Sequence, residues 1–77
     1  MFDIKEMYKL IKDELEYTIE KEDVRVNDIY LERETITCTT HVVQCIAFTS
    51  IGTWRMEYDA VNKKFLSTTH FVYYGRI

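Results

Sequence analysis

From Thr35 to Trp54 the chain reads TITCTTHVVQCIAFTSIGTW, twenty residues without one Asp, Glu, Lys or Arg. Few structures accommodate such a run. It is long enough to span a bilayer as a helix, but its six threonines, Gln44, His41 and Ser50 are too polar for that. Ile36, Val42, Val43, Ile46 and the threonines are residues that pack well on a pleated surface. The stretch is therefore expected to be the long central strand of a sheet, about 36–49, with a turn behind it.

Before that strand, Ile4, Met7, Tyr8, Ile11, Leu15 and Ile19 recur at three- and four-residue steps and form one stripe. The spacing predicts an amphipathic helix over about 3–21. Asp3 is placed to cap it, Glu6 gives a capping-box spacing, and Phe2 with Met7 stand at the positions of a hydrophobic staple. A first strand over about 24–33 changes its apolar parity between Val26 and Ile29, which points to a bulge at Asn27-Asp28. With Glu32 to Thr35 as the turn, Leu31 would face Ile36, and Ile29 would face Cys38.

Ser50-Ile51-Gly52 fits a three-residue loop that sets Phe48 opposite Trp54 and Ile46 opposite Met56, with Gly52 in the left-handed conformation. Strand three, about 53–59, alternates Trp54, Met56 and Tyr58 inward with Arg55 and Glu57 outward. Ala60 to Lys63 reads as a turn in which Asn62 can take the left-handed position. A last strand over about 64–74 follows. The predicted fold is α+β: one N-terminal helix on a four-stranded antiparallel meander, in a single domain over 1–77.

Seventy-seven residues bury a marginal core, so the apolar content (47%) and eleven aromatics imply more apolar surface than one copy covers. A homodimer is expected, with Phe71, Tyr73 and Tyr74 of the last strand at its interface. Two cysteines make no disulfide framework, and an acid in third position is no secretory start. A reduced, cytoplasmic protein is expected, with no membrane segment.

The charge distribution is more telling than the net value of −3. Local balances are +1 over residues 1–12, −6 over 13–34 and +2 over 35–77. An acidic patch of Asp13, Glu16, Glu20, Glu22, Asp23 and Asp28 is thus expected near the helix end and first strand. That charge disfavours a nucleic-acid backbone as partner and suits a basic protein surface.

Catalytic readings are poor. Cys38, His41, Cys45 and His70 lack metal-ligand spacing, and Cys38 stands on the opposite parity from His41 and Cys45, so no metal is expected. On one strand His41 and Cys45 would be about 13 Å apart, beyond proton-transfer reach. Both thiols read as small buried residues. Glu57 and Asp59 could pair as carboxylates but read as solvated charges. No cofactor is implied.

One echo remains. Thr39-Thr40-His41-Val42-Val43 recurs as Thr68-Thr69-His70-Phe71-Val72, which could line a strip of His41, His70, Thr39 and Thr69 with the imidazoles about 10 Å apart. Such a strip would suit a nucleotide-like ligand held between subunits. A third possibility, single-stranded nucleic acid, would use Tyr73, Tyr74, Arg76, Lys63, Lys64 and Arg55. The leading expectation is a non-enzymatic inhibitor or regulator, of the kind found among phage accessory factors, that docks its acidic patch on a protein partner.

Overall fold

A computed structural model describes residues 3–71, the side chain of Phe71 excepted; Phe2, Tyr73, Tyr74 and Arg76 lie outside the described residues. One helix, α1 (Ile4–Ile19), is followed by β1 (Val26–Ile36), β2 (His41–Thr49), β3 (Gly52–Asp59) and β4 (Lys64–Phe71). The strands form one open antiparallel sheet in the order β1-β2-β3-β4. This is the helix-β-β-β-β architecture expected from the periodicities.

The helix begins where its cap requires. Asp3 is extended, and its side chain accepts from the Lys5 N–H at 3.0 Å, satisfying one of the amides that a helix start leaves open. Met7, Ile11 and Leu15 are fully buried at four-residue steps. They meet Val43, Cys45 and Ala47 of β2 and Trp54, Met56 and Tyr58 of β3 in one core. The molecule is 20 Å in its thinnest dimension, which is one helix layer on one sheet.

Three connections differ from expectation, each for a local reason. The β1–β2 turn lies at 37–40 rather than 32–35, so Leu31 faces Cys45 and Ile36 faces His41. Threonine hydroxyls hold it: Thr37 Oγ1 accepts from the Thr39 and Thr40 N–H groups and lies 2.6 Å from Thr40 Oγ1. β2 accordingly starts at His41, and Cys38, which the turn carries outward, is exposed rather than buried.

The β2–β3 loop has two residues, Ser50 and Ile51. Thr49 pairs with Gly52, Phe48 with Thr53, Ile46 with Arg55, and Ala47 with Trp54. The Thr49 hydroxyl donates to the Gly52 carbonyl at 2.7 Å and accepts from the Ile51 N–H at 3.1 Å, which closes the shorter loop. Gly52 does have a positive φ, +114°, but within the strand. In the β3–β4 turn Lys63, at φ 56°, takes the left-handed position expected of Asn62. Asn62 is held otherwise, its side-chain amide donating to Asp59 Oδ2 at 2.7 Å and its N–H to Oδ1 at 3.1 Å.

The bulge at Asn27 is present, since Val26 pairs with Thr49 but Asp28 with Phe48. A second extra residue, Glu32, sits between Leu31 and Arg33. It turns both Glu32 and Arg33 toward the sheet face away from the helix, where Arg55 Nη2 reaches Glu32 at 3.2 Å and Gln44 donates to Glu57 at 2.6 Å. No described element covers that face.

Candidate functional site

Asp13, Glu16, Glu20, Glu22, Asp23 and Asp28 were expected to form one acidic surface, and the fold divides them. Glu16 is the departure. Its Oε2 accepts from Lys12 Nζ at 2.7 Å and from the Val24 N–H at 3.0 Å, while Lys12 also donates to the Val24 carbonyl at 2.9 Å. Glu16 and Lys12 thus clamp the returning chain to the last turns of α1. Asp13 pairs with Lys9 at 3.1 Å, and Asp28 accepts from the Ile29 N–H beside the first bulge.

Glu20, Glu22 and Asp23 are left exposed in the loop that joins α1 to β1. Both ends of that loop are tied. At its start the Lys21 N–H donates to the Glu16 carbonyl at 3.2 Å; at its end Arg25 and Ser50 exchange two hydrogen bonds, of 2.9 and 3.0 Å. Glu20 and Asp23 stand at φ 61° and 59°, the left-handed region that glycine and asparagine enter at least cost. The acids are therefore presented on a backbone of fixed shape.

Val24, Arg25 and Val26 continue into an open groove of about 600 Å³ between α1 and β1, faced by Tyr8, Lys9 and Lys12 from the helix. Composition alone gave no hint of it. The available signal was Tyr8 and Lys12, one helical turn apart on the flank of the apolar stripe past which the chain must return.

Lys12 and, from Val24, a backbone amide hold the Glu16 carboxyl below its ordinary 4.5. A depressed carboxyl adds stability that is complete above its unfolded-state value and is lost as pH falls through the folded-state one. In thermal melts the advantage of the native chain over Glu16→Gln is expected to be constant near neutral pH and to shrink below about pH 4.5. A difference that stayed constant into acid would show that the clamp does not depend on charge.

The residues of the proposed ligand strip do not converge. His41 and His70 share the helix side of the sheet but sit at opposite ends. The His41 carbonyl accepts from Ala60 N–H, whereas His70 pairs with Trp54, a separation of about 20 Å along the strand. His41 meets Glu34 at 2.5 Å. His70 lies on the Trp54 ring, with centroids 4.8 Å apart. Thr39 is in the β1–β2 turn, and Thr69 is on the opposite face, paired with Arg55.

The remaining chemical candidates are accounted for by structure. Cys45 is buried, and burial pushes its thiol up to about 11, with the Glu32 charge adding to the effect, so it is unreactive near neutrality. Asp59 is spent on its turn, where Asn62 holds its carboxyl below the ordinary range. Glu57 accepts from Gln44. Lys63 and Lys64 sit at the β3–β4 turn, while Arg55 is tied to Glu32 on the uncovered face, so these cations line no common groove.

Among the described residues no group of three or more His, Cys, Asp or Glu stands together as metal ligands, and no helix is long and apolar enough to cross a membrane. Compared with known protein families, curated proteins and solved structures, the chain matches none.

Proposed function

We propose that this chain is a non-enzymatic protein-binding module, an inhibitor or regulator that sets Glu20, Glu22 and Asp23 against a basic surface of a partner protein. One observation carries the reading. All three acids are exposed in a loop pinned at both ends, with Glu20 as the left-handed C-cap of α1 and Asp23 in a second left-handed position. Exposed acids clustered on a loop tied at both ends are what support a recognition role. A pre-shaped loop loses little conformational entropy on docking, and its charges steer the encounter.

Asparagine tolerates the left-handed region, so Glu20→Asn, Glu22→Gln and Asp23→Asn together remove the charge and keep the backbone. The triple variant is expected to keep the melting temperature of the native chain and to lose the partner that the native chain retains from its host's lysate. Retention by the native chain should also weaken as salt is added. Undiminished retention by the neutralised variant would refute the proposal. Glu16 is not part of this surface, and reversing its charge would test the clamp instead.

A further inference from the structure

The two edges of the sheet are built differently. β1 carries Asp28, Glu32, Arg33 and Glu34 and is broken by extra residues at Asn27 and Glu32. Charges and bulges of this kind keep an edge strand from pairing with another chain. β4 has neither protection along most of its length. From Phe65 to Phe71 it reads FLSTTHF, with no acidic residue, lysine, arginine or proline. Its one register shift, at Leu66, precedes a regular run in which Ser67, Thr68, Thr69, His70 and Phe71 pair with successive residues of β3.

The flank beside this edge exposes large apolar residues. Leu66 and Val61 are half exposed and Tyr17 is 84% exposed. Tyr17 follows Leu10 by seven residues and so shares its stripe on α1. Between that stripe and the β3–β4 turn runs a groove of about 340 Å³ with Leu10, Tyr58 and Phe65 among its walls. The charges that line it, Lys63 and Lys64 against Asp13 and Glu14, balance.

We infer that β4 pairs antiparallel with β4 of a second copy across a two-fold axis beside Thr68 and Thr69. The sheet then continues through eight strands, and both helices lie on the same side of it. The occupant is a second copy because an isologous contact needs one self-complementary surface, and a strand without Asp, Glu, Lys or Arg from Phe65 to Phe71 sets no like charges against each other when paired antiparallel with itself. The acidic loop leads into β1 at the other edge, so the two surfaces are independent.

The test is the mass of the full chain in solution, by light scattering after size exclusion, over a range of concentrations. The native chain is expected to be a dimer. Ser67→Lys with Thr69→Lys, exposed positions on the face away from the helix, is expected to give a monomer, because lysines facing one another across the axis repel. Thr35→Lys, on the same face at the other edge, is expected to leave the dimer intact. Hydrogen exchange of the native chain gives a second readout: β4 amides should lose protection on dilution while those of β2 keep theirs. A native chain that is monomeric at every concentration, a dimer that survives the β4 lysines, or β4 protection independent of concentration would overturn the assignment.

Discussion

Met56→Ala is expected to lower the unfolding free energy by about 2 to 5 kcal/mol. Met56 is fully buried on β3, pairs with Cys45, and belongs to the core that includes Met7, Ile11 and Leu15 of the helix. Truncation removes apolar contact from both layers and leaves a cavity that strand and helix backbones cannot close. A chain of this length has about 4 to 12 kcal/mol to lose, so the substitution removes a large share of it. Urea titration followed by circular dichroism gives the result as a lower midpoint at unchanged slope. Met56→Leu conserves volume and should lose less than about 1.5 kcal/mol. Equal losses from the two variants would mean that the site responds to shape rather than to the cavity.

The second large effect is expected at Gly52. Its φ of +114° lies where L residues are strained, and a Cβ built there would stand 2.6 Å from His70 Nε2. The two terms differ in weight. The His70 ring ends an exposed side chain and can swing aside, whereas the backbone is fixed by pairing with Thr49 and by the hydrogen bond from its hydroxyl. Gly52→Ala is expected to lose about 1 to 3 kcal/mol, nearly all of it from the backbone. The double variant Gly52→Ala, His70→Ala should then recover little of the loss in the same titration. Recovery of most of it would assign the effect to the ring contact.

The parts of the fold that could be read from sequence were those in which side-chain period and burial agree. Met7, Ile11 and Leu15 at helical spacing, and Trp54, Met56 and Tyr58 in alternation, name the two faces of the core without reference to any loop. The parity change after Val26 marked the Asn27 bulge for the same reason. The turns were harder because hydroxyls set them. Nothing in Thr37-Cys38-Thr39-Thr40 resembles a glycine or proline signal, and apolar Ile36 and Cys38 suggested a strand already under way. Gly52 signals positive φ but does not say whether the glycine lies in the loop or one residue beyond.

The candidate site was legible as charge and not as geometry. The excess of acids before β1 is plain in the sequence, but the clamp that removes Glu16 depends on where the chain turns back. Only the folded loop brings the Val24 amide to that carboxylate. The repeated Thr-Thr-His words misled because similar neighbours do not imply a shared location. One imidazole stands level with the end of β3 and the other beside Trp54.

The order of the strands in the sheet is their order in the chain. Each strand therefore finds its partner across a connection of a few residues, and no pairing waits for a remote part of the polypeptide. Loop-closure entropy is met in small steps, and only the docking of α1 joins segments far apart in sequence. Each of the three hairpins can thus close locally, and the docking of α1, capped by its own Asp3, is the one step that spans most of the chain.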